Sequence, residues 1–202
     1  MRKSQWLTVV VALVVGVGAG FAQSGFKVNL STGYSLTAFE EDPYSQDAAG
    51  TLPLGVSVGK QVTPALEAGV EVLYPLGGYT WEVEFTGIPG IVDSYKTEST
   101  INQVLYGVYG RYLLSSGPGL KPFVKAGLGL YTGGGTVEFE GESEDFDIKS
   151  AVGFNIGGGV YVKDNVWVQF QYHIVSREPD EEGAEKSGAN TWDVMAGYVF
   201  EL

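Results

Sequence analysis

Glu67, Glu71, Arg111 and Lys125 are the residues of this chain whose types and spacing first point to chemistry. Each lies in a stretch where polar and apolar residues alternate, and in such a stretch side chains two apart share a face. By parity all four belong to one face of their stretches. Two carboxylates beside two permanent cations predict a paired interior cluster, because charges taken out of water persist only when paired and hydrogen-bonded. His173, the single histidine, has Asp193 on the same face of the neighbouring stretch. An imidazole beside a carboxylate is the core of a general acid–base pair. The nucleophile that would complete it is absent from the pattern: Ser176 has the opposite parity, and no His-x-Ser arrangement occurs. His173 is therefore expected to be a structural interior residue, and no catalytic residue is assigned.

Other site chemistries are thinner. The chain has no cysteine, which excludes a disulfide framework, a thiol nucleophile and a thiolate metal site. The carboxylates of Glu142, Glu144, Asp145 and Asp147, and of Asp180, Glu181 and Glu182, offer oxygen ligands, but the Asp-x-Asp-x-Asp-Gly spacing of a calcium loop is missing. A solvated, mutually repelling surface is expected there. Gly133-Gly134-Gly135 is followed by neither a lysine nor a helix, so it marks a bend rather than a phosphate loop. No metal and no cofactor is expected.

The elements that must hold these residues are strands. Alternation bounded by turn residues predicts eight of them: Phe26 to Phe39, Thr51 to Gly59, Leu66 to Thr86, Lys96 to Leu114, Pro122 to Glu140, Ile148 to Val162, Val166 to Arg177 and Ala189 to Leu202. Connections alternate between compact turns (Thr63-Pro64, Gly117-Pro118-Gly119, Asp164-Asn165) and long loops or extended arms. Most of the acidic residues fall on the long side, while Lys60, Lys121 and Lys163 mark the short side. An even strand number with this alternation predicts an all-β, eight-stranded antiparallel up-and-down barrel.

Arg2 and Lys3 precede an apolar run from Trp6 to Val17, and Gly20-Phe21-Ala22 supplies small residues for a signal peptidase. Residues 1–22 are expected to be a cleaved signal peptide, with 23–202 forming one barrel domain. Without Arg2 and Lys3, 10 of the 12 basic residues remain against 24 acidic ones, a net charge of −14. Nucleic acid is excluded as a partner by that repulsion. Alternation alone leaves open a soluble barrel with its apolar face inward. Export, the glycine-rich polar faces and aromatics near the strand ends favour the opposite polarity, with lipid outside and a packed polar interior.

On these residues the chain resembles the small eight-stranded outer-membrane barrels of the OmpX and OmpA transmembrane-domain class. The final strand carries the closest likeness. Gly197, Tyr198, Phe200 and Leu202 form an ending like the family's assembly signal, although the family usually ends on phenylalanine. The resemblance implies residence in the bacterial outer membrane, insertion by the barrel assembly machinery, contact with outer-membrane lipids and a monomeric state. It also implies a protruding extracellular sheet. Tyr79, Trp81, Phe85 and Phe139 alternate there with polar residues as an amphipathic platform, the candidate for recognising an extracellular protein or surface. The expected function is a non-enzymatic envelope barrel with a recognition role. A narrow porin-like channel is the alternative, and a lipid A-modifying enzyme a third reading.

Overall fold

The computed structural model describes residues 25–39, 49–85, 95–115, 119–139, 141–177 and 187–202. They form nine strands: β1 (Phe26–Phe39), β2 (Ala49–Gln61), β3 (Leu66–Leu76), β4 (Tyr79–Phe85), β5 (Tyr95–Leu113), β6 (Lys121–Phe139), β7 (Glu142–Lys163), β8 (Val166–Arg177) and β9 (Ser187–Glu201). Each pairs antiparallel with its neighbour in sequence except β3 and β4, which both pair with β5, and β1 pairs with β9 from Lys27↔Glu201 to Phe39↔Ala189. The sheet therefore closes on itself as an eight-stave barrel, with β3 and β4 together making one stave.

That divided stave corrects the single strand expected over Leu66 to Thr86. Gly77 and Gly78 both take positive φ, 88° and 75°, a conformation that favours glycine. They add two residues to the stave: Leu73 faces Leu105 below them and Tyr79 faces Ile101 above. A two-residue insertion preserves parity, so the inward face of β3 continues as the inward face of β4 at Tyr79.

A second correction concerns β7, which begins at Glu142 rather than Ile148. Residues 133–139 and 142–147, expected as extended arms, are paired strand. β6 and β7 stay paired up to Phe139↔Glu142, and Gly141 takes φ 83° in the tight turn between them. The pairing register shifts between Tyr131 and Gly133, where the bend was expected. The staves are consequently unequal. Among the described residues β1, β2, β3, β8 and β9 run 11 to 15 residues, whereas β5, β6 and β7 run 19, 19 and 22, so a sheet of β4, β5, β6 and β7 rises beyond the described part of the rest.

The barrel's polarity is inverted relative to a protein that folds in water. Val70, Val108, Leu128, Val152, Phe154, Ile156, Phe170, Trp192 and Val194 face outward and exposed, Val152 at 73%, while Asn155 and Gln171 are fully buried inside. Leaving so much aliphatic surface outside is favourable only when the surrounding solvent is hydrocarbon. The same faces stack aromatics outside the wall, with Tyr172 on Trp192 at 3.9 Å between ring centres. The described residues thus choose between the two barrels that alternation left open.

Candidate functional site

The interior is filled in layers. In the lowest, nearest the compact turns, Glu67 of β3 stands directly opposite Arg111 of β5. Arg111 Nη1 donates to the Tyr161 hydroxyl at 2.6 Å and to Glu67 Oε1 at 3.4 Å, and the Tyr109 hydroxyl donates to that same carboxylate oxygen at 2.8 Å. Four rings surround the guanidinium, with its carbon 4.8 Å from the ring centre of Phe123, 5.3 Å from Trp167, 5.6 Å from Tyr109 and 5.7 Å from Tyr161. Arginine suits this box because its planar, weakly hydrated cation stacks on aromatic faces.

These rings fit because glycine stands beside them. Phe123 is paired with Gly159, Trp167 with Gly197, and Tyr109 with both Gly69 and Gly127. A Cβ on Gly159 would lie 2.6 Å from the tip of Phe123, and one on Gly197 would enter the Trp167 ring. The inward glycines are thus the room into which neighbouring strands place their largest side chains.

One layer up, the Lys125 ammonium donates to Glu71 Oε2 and, at 3.1 Å, to Gln171 Oε1. The Asn155 amide reaches the other Glu71 oxygen at 3.5 Å. Higher again, the Tyr131 hydroxyl meets His173 Nδ1 at 2.8 Å, and His173 Nε2 meets Asp193 Oδ2 at 2.8 Å. Ser35 donates to the remaining Asp193 oxygen, and the hydroxyls of Thr37 and Thr191 share a 2.9 Å hydrogen bond. Tyr79, only 7% exposed, closes this layer with its phenol among Ser35, Thr37 and Thr191.

The six charged or titratable residues singled out in the sequence all lie inside, each almost wholly buried. They divide into three couples, Arg111–Glu67, Lys125–Glu71 and His173–Asp193, stacked along the barrel. Two voids remain. One of about 10 Å³ is lined by Glu71, Arg111, Lys125, Trp167 and Gln169. One of about 30 Å³ is lined by Ser35, Tyr79, Gln103, Tyr131, His173 and Asp193. A single water needs roughly 10–15 Å³ of such space, so each holds at most a few waters.

Tyr79 departs from the platform expected of it: parity is kept across the Gly77–Gly78 insertion, which turns its ring into the barrel mouth. Trp81 and Phe85 lie on β4, but their side chains fall outside the described residues. Phe139 sits at the hairpin tip and is 44% exposed. Gly197 points inward against Trp167, while Tyr198, Phe200 and Leu202 remain exposed at the seam with β1. Sequence reasoning missed Tyr109, Phe123, Tyr131, Tyr161 and Trp167. The available signal was a large ring of inward parity opposite a glycine. Residues 1–22 and Asp180 to Glu182 lie outside the described residues.

A closed barrel with a hydrocarbon exterior and a buried, paired interior is the architecture of outer-membrane proteins. The family model for the outer membrane protein beta-barrel domain matches residues 7–200. The chain belongs to this family. Its place is therefore the bacterial outer membrane. Among solved structures this outer-membrane barrel is similar to Neisserial surface protein A, at 15% identity and TM-score 0.57, over 89% of this chain and 98% of that one. It is also similar to Ail, the attachment invasion locus protein of Yersinia pestis, at 15% identity and TM-score 0.54, over 87% of this chain and 99% of that one. Ail in complex with the heparin analogue sucrose octasulfate matches at 13% identity and TM-score 0.57, over 87% of this chain and 99% of that one. At these identities the likeness is one of fold. No curated protein matches the sequence. In an outer-membrane barrel of this family the compact turns face the periplasm, so the tall sheet and the His173–Asp193 layer belong to the extracellular half.

Proposed function

We propose that this outer-membrane barrel is a non-enzymatic, non-conducting anchor for an extracellular recognition surface. The observation that carries the reading is the continuation of β4, β5, β6 and β7 beyond the other staves. β5 and β6 exceed the roughly nine to eleven residues needed to cross the bilayer by about 8–10 and β7 by about 11–13, and lipid contact cannot account for the excess. The filled, ion-paired interior argues against the porin-like alternative. Against a lipid A-modifying enzyme stands the geometry at His173: the hydroxyl on its imidazole is that of Tyr131, and Ser35 bonds to Asp193 instead.

The chemistry of the projection indicates the kind of partner. Glu138, Glu142, Glu144, Asp145 and Asp147 are exposed on the β6–β7 hairpin, with Phe139 at its tip. Ail is described with a polyanion. This acidic surface would repel one, and it suits a basic protein surface instead. Export by a signal peptide cleaved after Ala22, and recognition of Gly197, Tyr198, Phe200 and Leu202 by the barrel assembly machinery, complete the proposed route to the membrane.

Replacing Val137 to Glu144 by Asn-Gly should shorten the hairpin while keeping the register at Thr136↔Asp145. The variant is expected to fold, shown by heat-modifiable gel mobility, and to lose attachment to surfaces coated with basic polypeptide. Undiminished attachment would remove the recognition role. Stable, sizeable conductance of the folded monomer in planar bilayers would remove the non-conducting one.

A further inference from the structure

We propose that the chamber beneath Tyr79 is a binding site for the terminal ammonium of a primary alkylamine. Among the described interior residues, Glu67, Glu71 and Asp193 are carboxylates, and Arg111 and Lys125 are the arginine and lysine. Arg111 bonds to Glu67 and Lys125 bonds to Glu71. Asp193 has the His173 imidazole and the Ser35 hydroxyl in place of a lysine or arginine. A carboxylate almost wholly buried with no lysine or arginine bonded to it attracts a small cation, because charges in low dielectric interact strongly.

Shape and donor count match as well. An ammonium has three hydrogen-bond donors and no acceptor. The chamber walls supply acceptors to match, from Asp193, Ser35, Gln103, Tyr79 and Tyr131. Pro53, Leu73 and Leu105 supply an apolar side for the attached methylene, and the tyrosine rings can face the cation. About 30 Å³ holds two or three water-sized groups, the size of a terminal CH2–NH3⁺. A guanidinium, with four heavy atoms in one plane, is too large, and an anion is repelled by Asp193. The exposed carboxylates of the β6–β7 hairpin, above the same mouth, would concentrate amines at the entrance. This site is independent of the surface recognition proposed above.

The test is a titration of the full chain, folded in lipid nanodiscs, with 1,4-diaminobutane, followed by amide NMR shifts. Saturable shifts are expected at Ser35, Tyr79, Gln103, His173 and Asp193. Asp193→Asn should weaken the affinity by about tenfold or more, the loss of a charge-assisted hydrogen bond. Gln103→Leu lies outside the His173–Asp193 couple and should weaken it by a smaller factor. Shifts confined to residues 138–147, identical shifts from potassium chloride at equal concentration, or native affinity in both variants would overturn the assignment. If Asp193→Asn fails to fold, Gln103→Leu decides alone: weakened binding supports the site and unchanged affinity removes it.

Discussion

The periplasmic and extracellular halves of this barrel are built from the same staves and the same period of two, yet they are filled by different chemistry. In the periplasmic half Arg111 is wrapped by four rings and bound to Glu67, and Lys125 is bound to Glu71. In the extracellular half the hydroxyls of Ser35, Thr37, Thr191, Tyr79 and Tyr131 surround one imidazole–carboxylate couple. The first half keeps a void of about 10 Å³, the second one of about 30 Å³. Permanent charges at close range leave little freedom, because an unpaired partner costs several kcal/mol in low dielectric. Neutral hydroxyls can rearrange at lower cost and so tolerate an open chamber. The proposed seal rests on the lower half and the proposed binding site on the upper.

Breaking the lower half should give the largest effect. Arg111→Ala leaves Glu67 buried without its cation and empties the aromatic box. It should lower folding stability by about 3–5 kcal/mol, read as a shift of the urea midpoint in lipid vesicles. Converting the pair together, with Glu67→Gln and Arg111→Met, should recover most of that loss; if it does not, the couple is more than a matched pair of charges. Overfilling the same half comes next. Gly197→Val would drive side-chain atoms into Trp167 and should cost about 1–3 kcal/mol by the same measurement.

The upper half should prove more forgiving. Ser35→Ala removes one hydrogen bond to Asp193 and should cost about 1 kcal/mol; a loss as large as that of Arg111→Ala would erase the contrast between the halves. The smallest effect belongs to the periplasmic rim, where Lys121 Nζ lies 2.7 Å from Asp164 Oδ1. The hydrogen bond and charge of Lys121 hold the Asp164 carboxyl below its ordinary range. A depressed folded value means that whatever stability this pair contributes is present above the unfolded value and lost as pH falls through the folded one. Asp164 is fully exposed, so Lys121→Met should leave the urea midpoint unmoved. NMR titration of Asp164 should instead show its value rising to that of an ordinary carboxylate.

Much of the barrel was legible in the chain because period two is a local property. The parity of Glu67, Glu71, Arg111, Lys125, His173 and Asp193 followed from alternation within each strand, and the structure keeps it. Gly77-Gly78 was hidden because alternation resumes with unchanged parity after a two-residue insertion, so no break appears in the pattern. The outward rise of the β6–β7 hairpin was expected, but the start of β7 was hidden because Glu142 to Asp147 looks like a hydrophilic loop, although pairing with Gly134 to Phe139 makes it strand. Acidic side chains do not forbid a strand whose faces both meet water.

By itself the sequence determined the period, the number of staves, the side on which acids gather and the residues that face inward, all of which depend on near neighbours along one strand. Only the tertiary structure decided which inward residues meet. Register between strands far apart in sequence placed Phe123 and Trp167 around Arg111, set Ser35 against Asp193, and turned Tyr79 from an outer platform into the cover of a chamber. The physical reason is that a closed barrel fixes each strand against two others at once, and side-chain volume and charge can be balanced only across that closure.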